Sequence, residues 1–209
     1  QHYIPTVETF GLRGGVIYYD GQFDDARLAV NLARSAADHG GVMLNYMRVT
    51  GLLKSPAATS EEAKIGGGDI VEGVVVEDVE SGQVREVRAH VVINATGVFT
   101  DGVRKMDDPE AEDIIMASQG VHIVIDQSFL PGESAIMVPE TDDGRVLFAI
   151  PWHGRTVVGT TDTEVDGPDI EPRALGDEVE FLLEHASRYL RKEVSDRDVL
   201  SVFAGLRPL

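Results

Sequence analysis

The 209-residue chain contains no cysteine, which excludes disulfides and thiolate metal sites and fits a cytoplasmic protein. Basic residues are scarce: 18 Lys plus Arg stand against 36 Asp plus Glu, for a formal charge of -18. That balance argues against nucleic acid and against an anionic membrane surface as partners. Any anionic ligand has to be held by a few locally placed arginines against the overall field. No apolar run reaches the length that spans a bilayer, and the start shows no signal-peptide pattern. Nucleophile elbow, P-loop and zinc motifs are all missing. His2, His39, His90 and His185 show no metal-ligand spacing with one another. Also missing is a G-x-G-x-x-G between a strand and a helix; Gly66-Gly67-Gly68 comes nearest and sits in a polar loop expected over residues 55–69. What is present, 43% hydrophobic and 26% charged residues, is the composition of a soluble globular protein large enough to bury a core.

The run Val91-Val92-Ile93-Asn94-Ala95-Thr96-Gly97 organises the reading. Three β-branched residues without polar alternation predict a short strand buried on both faces. Small residues at its C-terminal end suit close approach of a ligand to the backbone, where open α/β sheets bind ligands, and equally suit an ordinary strand-to-helix turn. Gly14 to Asp20 reads as a further strand, and Asp24-Asp25 as the capped start of a helix from Ala26 to Asp38 with Leu28, Leu32 and Ala36 on one face. His39-Gly40-Gly41 stops that helix, and a strand from Val42 to Val49 follows, then Leu52-Leu53. Ile70 to Asp78 and Val84 to Ala89 form a hairpin, and a helix covers Val103 to Met106, with another short one restarting at Asp107-Asp108-Pro109. Past residue 118 the pattern changes to short strands at hairpin spacing: Val121 to Ile125, Ala135 to Pro139, Val146 to Pro151 and Thr156 to Gly159. Leu175, Val179, Leu182, Leu183, Ala186 and Leu190 mark an amphipathic helix, expected over 176–191, and Val199 to Ala204 a last strand re-entering the first lobe. The expected sheet of residues 14–100 and 198–205 is a parallel remnant.

His122 is the sharpest candidate for chemistry, on the opposite pleat from Val121 and Ile123. It reads as a base or hydrogen-bond donor, or as a partly buried structural histidine. Arg207, before Pro208 at a glycine-flanked strand end, offers a planar fork for phosphate or carboxylate, or an edge salt bridge. Gly159-Thr160-Thr161-Asp162 supplies hydroxyl and backbone donors, or is a tight turn.

Taken together, Tyr19-Asp20, Asp24-Asp25-Ala26-Arg27, Asn45-Tyr46, Val49, Val92 to Gly97, Gly120-Val121-His122-Ile123-Val124, Pro151-Trp152, Gly159-Thr160-Thr161-Asp162 and Gly205-Leu206-Arg207-Pro208-Leu209 form a set in order and spacing. The set closely resembles the FAD-dependent, quinone-linked glycerol-3-phosphate dehydrogenases. Val103 to Asp108 is most similar to the mitochondrial-type members.

The resemblance implies a fold that is α/β and α+β, with a partial FAD-binding domain of the glutathione-reductase/D-amino-acid-oxidase class and an antiparallel substrate-binding lobe. The expected division is residues 1–117 and 198–209 for the FAD-binding part and 118–197 for the substrate lobe. It implies oxidation of sn-glycerol 3-phosphate to dihydroxyacetone phosphate, with FAD as cofactor and quinone as acceptor. His122 matches the family's active-site histidine, and Arg207 an arginine near substrate phosphate and flavin. Val49, Ala95, Thr96, Gly97 and Gly205 match cofactor-binding positions, and Thr160 and Thr161 substrate-binding ones. No metal is implied. The chain, opening at Gln1 and lacking the glycine-rich fingerprint, is expected to be the central part of such an enzyme. Alone it should not hold FAD tightly or be active, and it could pair as a homodimer through an uncovered apolar face. Its expected location is cytoplasmic, or peripheral on the inner membrane in the full-length protein. The competing readings are a related flavin oxidase, acting on glycerophosphate or on amino or hydroxy acids, and a catalytically silent ligand-binding domain.

Overall fold

A computed structural model of the chain describes residues 2–56, 69–142 and 144–209. The triple glycine, most of the loop expected around it, and Asp143 lie outside the described residues. The chain divides into two compact units. Residues 15–95 and 102–110 form one, and residues 1–14, 96–101 and 111–209 the other. These lines differ from the expected division.

In the first unit, helix α1 (Asp25–Asp38) begins where the sequence places it. The Asp24 carboxylate accepts the Arg27 N–H at 2.9 Å, and His39 ends the helix before Gly40, whose φ of +89° suits glycine alone. Strands β1 (Met47–Pro56), β2 (Asp69–Asp78) and β3 (Val84–Arg88) make a three-stranded antiparallel sheet in that order. The β2–β3 turn uses Asp78, whose carboxylate takes the Glu80 and Ser81 N–H groups, and Gly82 at φ +70°.

Several expectations fail in this unit. Every described strand pairing is antiparallel, so no parallel remnant is present among these residues. The stretches 14–20 and 91–93 form no strand; Val16 is 91% exposed, Val91 72% and Ile93 82%. A β-branched run favours extended backbone, but a strand needs a neighbour to pair with. Nor does α1 bury any residue, despite its apolar stripe.

Helix α2 (Thr100–Asp107) follows a 3₁₀ turn at Gly97–Phe99. The Asp101 carboxylate is buried and accepts the N–H groups of Ile114 and Ile115 at 3.0 and 2.9 Å. Asp107 ends α2 and the chain then only turns at Pro109, so no second helix restarts there.

The second unit is built on β4 (Ala117–Asp126). Strands β5 (Ile136–Val138), β6 (Leu147–Trp152), β7 (Arg155–Gly159) and β8 (Thr163–Glu164) join it in the sheet order β5-β6-β7-β4-β8. Strand β9 (Ser201–Pro208) pairs antiparallel with β4 along its length, from Ala117↔Pro208 to Val124↔Ser201. The last strand therefore completes this sheet. Val121, Ile123 and Ile125 point to one side of β4 and are fully buried. Helix α3 (Gly176–Tyr189) covers them with Leu182, Leu183 and Ala186, joined by Leu190, Phe129, Leu130, Leu147 and Val158. Alternation on β4 thus sends one pleat into the core and leaves Ser118, Gly120 and His122 on the other.

Candidate active site

Paired residues of antiparallel strands share a face, so register decides what His122 meets. It faces Gly159 on β7 and Phe203 on β9. The His122 and Phe203 rings stack nearly parallel, centroids 5.0 Å apart with 6° between planes. On the other side the ring lies across Gly159: a Cβ there would sit 2.2 Å from His122 Cδ2 and 2.7 Å from Cγ and Nε2. The imidazole is therefore seated between a glycine and an aromatic face. Gly159→Ala forces the ring back by more than an ångström, and we expect destabilisation of about 1–3 kcal/mol, read as a lower urea midpoint with an unchanged slope. An unaltered midpoint would mean the ring has free room to move.

Two residues along the same pleat, Gly120 does the same for Arg207. A Cβ at Gly120 would be 3.0 Å from Arg207 Nη2 and 2.7 Å from Thr160 Oγ1. The guanidinium folds back over Gly120, with Nη2 donating to the Thr161 carbonyl at 2.7 Å and to Asp162 Oδ1 at 3.2 Å. Ser118 donates its hydroxyl to the same Asp162 oxygen. The Arg207–Asp162 contact is an ion pair at 3.2 Å, and the Arg207 side chain is 44% exposed. His122 and Gly120, the glycine under the Arg207 guanidinium, are two residues apart on β4, a backbone rise of about 7 Å.

The remaining expected residues divide between the units. Gly205 pairs with Gly120 in the same sheet and has nothing within 4 Å of a would-be Cβ. Thr96 and Gly97 lie at the 3₁₀ turn, which packs against β9; Gly97 has φ +57° and is also open on its Cβ side. Val49 and Ala95 belong to the other unit, Val49 half-buried opposite Val76 and Ala95 exposed. Thr160 is half-buried, its hydroxyl on the Thr161 carbonyl at 3.2 Å. Thr161, expected to touch substrate, is only 1% exposed and its hydroxyl is taken up in the core. It accepts the Val121 N–H at 2.9 Å and donates to Glu178 Oε1 at 3.0 Å.

Gly159, Gly120, Phe203 and Glu178 acquire their roles only through register and packing. One signal was available in the sequence: Gly120-Val121-His122 puts a side-chain-free position on the histidine's own pleat. Burial pushes the Glu178 carboxyl up, but hydrogen bonds from the Leu175 N–H and from Thr163, Gln119 and Thr161 outweigh it and hold the group below its ordinary value. Its contribution to stability is present above the unfolded-chain value and is lost as pH falls through the lower folded one.

A family model described as FAD dependent oxidoreductase matches residues 2–209. The chain belongs to that family. It is 40% identical over 211 residues to the mitochondrial glycerol-3-phosphate dehydrogenase of Homo sapiens, covering 100% of this chain and 28% of the relative. To the probable mitochondrial glycerol-3-phosphate dehydrogenase of Dictyostelium discoideum it is 41% identical over 202 residues, covering 95% and 31%. The chain thus spans about a third or less of the length of these curated relatives. Among solved structures, the glycerol-3-phosphate dehydrogenase from Bacillus halodurans complexed with FAD matches with a TM-score of 0.86 and 33% identity, over 100% of this chain and 40% of that one. Glycine oxidase from Bacillus cereus matches with a TM-score of 0.58 at 19% identity over 87% of this chain and 42% of that one, a likeness of fold alone. The expected fold class, an FAD-dependent oxidoreductase architecture with an antiparallel lobe, is the one found.

Proposed function

We propose that this chain carries the substrate face of an FAD-dependent glycerol-3-phosphate dehydrogenase, which oxidises sn-glycerol 3-phosphate to dihydroxyacetone phosphate and passes electrons to a quinone. The observation that carries the reading is the pairing of an arginine fork and an imidazole on one side of β4, each over its own glycine. A backbone rise of about 7 Å from Gly120 to His122 is on the scale of a short polyol with a phosphate at one end and a reacting hydroxyl in its middle.

In this reading Arg207 takes the phosphate with the guanidinium edge that Thr161 and Asp162 leave open. His122 accepts the C2 hydroxyl proton while the C2 hydrogen departs as hydride. Thr160 lines the wall beside Gly120, and Thr161 acts through its carbonyl. FAD, when bound, supplies the two-electron acceptor. The residues present suit it: Gly205 leaves β9 flat where a ring system can lie, and Gly97 gives an open turn next to that strand. Thr96, Gly97 and Gly205 would hold the cofactor. A quinone acceptor agrees with a mitochondrial or membrane-peripheral setting, the former being the one named for the curated relatives. No helix among the described residues is long and apolar enough to cross a membrane.

The test is anaerobic mixing of the full-length, flavin-loaded enzyme with candidate reductants. Bleaching of the flavin by sn-glycerol 3-phosphate, with faster recovery on a short-chain quinone than on oxygen, is the expected result. Bleaching by glycine or a hydroxy acid instead, or faster recovery on oxygen, would replace this reading with an oxidase.

A further inference from the structure

The Glu178 side chain is a buried carboxylate, 5% exposed, whose recorded hydrogen-bond partners are all neutral. Burying a charge without a cation is costly, and an apolar residue would pack this helix start at less expense. Its hydrogen bonds show what the charge does. Oε2 accepts the Leu175 N–H at 2.8 Å, closing the first turn of α3, and the Gln119 Nε2 at 2.7 Å, tying the helix to β4. Gln119 also donates to the Arg173 carbonyl at 3.0 Å. Oε1 reaches a third element, taking the hydroxyl of Thr161 in the β7–β8 connection.

Thr161 is the crossing point between the core and the site. Its hydroxyl is held from both sides on the core face, by the Val121 N–H and by Glu178. Its carbonyl accepts Arg207 Nη2 at 2.7 Å, and the guanidinium lies over Gly120 on the opposite pleat. A shift of the 160–162 segment would carry that carbonyl, and the arginine's aim, with it.

We propose that Glu178 is a positioning residue for the anion site: through Thr161 it fixes the carbonyl that orients the Arg207 guanidinium. The inference rests on the reading of Arg207 as the phosphate contact and adds to it a residue with no access to substrate. A hydrogen-bonded, charged anchor suits the task because an apolar side chain would hold the segment by packing alone, with no directional bond to Thr161.

The test uses steady-state kinetics of the full-length, flavin-loaded enzyme with glycerol 3-phosphate. Glu178→Gln keeps the shape and loses the charge and one acceptor. We expect KM to rise about 5- to 20-fold with kcat within about two-fold of the parent. Thr161→Val should give the same split, and Thr161→Ser, which keeps the hydroxyl, should restore the parent KM. The double variant Glu178→Gln/Thr161→Val should be no worse than the poorer single one, since both cut one connection. If Arg207→Ala raises KM while Glu178→Gln and Thr161→Val leave it unmoved, the positioning role is overturned and the phosphate reading stands. If Arg207→Ala leaves KM unmoved, both fall. Effects that multiply in the double variant, or a Thr161→Ser variant as poor as Thr161→Val, would also overturn it. Should Glu178→Gln fail to accumulate as a flavoprotein, Glu178→Asp takes its place: it keeps the charge but shortens the reach to Thr161, and a parent-like KM in a folded Glu178→Asp enzyme would overturn the positioning role.

Discussion

Arg207→Ala is expected to raise the KM for glycerol 3-phosphate about 10- to 150-fold and to leave kcat close to that of the parent, the loss of one charged hydrogen bond of roughly 1.5–3 kcal/mol. The phosphate takes no part in bond breaking, so its contact is equally strong in ground state and transition state, and such contacts appear in KM. Asp162 enlarges the effect. Its carboxylate is held by Ser118 and in the parent is partly balanced by Arg207 at 3.2 Å. Without the guanidinium, that carboxylate faces an incoming dianion, a repulsion of about 1 kcal/mol per charge pair at 4 Å in water. Asp162→Asn placed on Arg207→Ala should therefore recover part of the loss. Arg207→Lys keeps a charge but not the fork that meets Thr161 and the phosphate together, and should fall between parent and alanine. Michaelis constants for the four proteins check this. A parent-like KM in Arg207→Ala would remove the phosphate from this end of the site.

Much of the second unit was legible in the sequence because its signals are local. Val121, Ile123 and Ile125 alternate with His122, and period-two alternation places the histidine off the core whatever the neighbouring strands are. The spacing of Leu182, Leu183, Ala186 and Leu190 gives α3 its buried side in the same way. Asp24 caps α1 by an interaction three residues long. Pairing is where local signals stop. Val199 to Ala204 reads as a strand, but nothing in those residues names β4 as its partner. The run at 91–93 is strand-like in composition yet unpaired and exposed for the same reason. The site divides along the same line. His122 and Arg207 stand out by residue type and by family resemblance, whereas Gly159 becomes the seat of an imidazole only through the register His122↔Gly159. Glu178 is the third residue of α3, a position where an acidic side chain favours the helix N-terminus, and only the fold shows it turned inward onto Thr161.

His122 should fail in the opposite way to Arg207. If it takes the hydroxyl proton, it acts chiefly as that proton moves, and His122→Ala is expected to lower kcat about 10²- to 10⁴-fold with a smaller change in KM. An imidazole suits the task because it ionises near neutral pH, so the acidic limb of the kcat/KM profile should lose one ionisation in the variant. Packing makes the substitution readable. The ring is stacked on Phe203 and lies over Gly159, so its removal opens space on the site face and leaves Val121 and Ile123 in the core on the far side. A loss of kcat without a loss of flavin content or of the urea midpoint would then report chemistry and not unfolding. His122→Asn separates the two remaining roles of the side chain. An amide fills part of the space and donates a hydrogen bond, but it accepts no proton at neutral pH, so it should be nearly as impaired as alanine. Near-normal kcat in His122→Asn, with the pH profile unchanged, would reduce His122 to an orienting donor and require a base elsewhere in the protein.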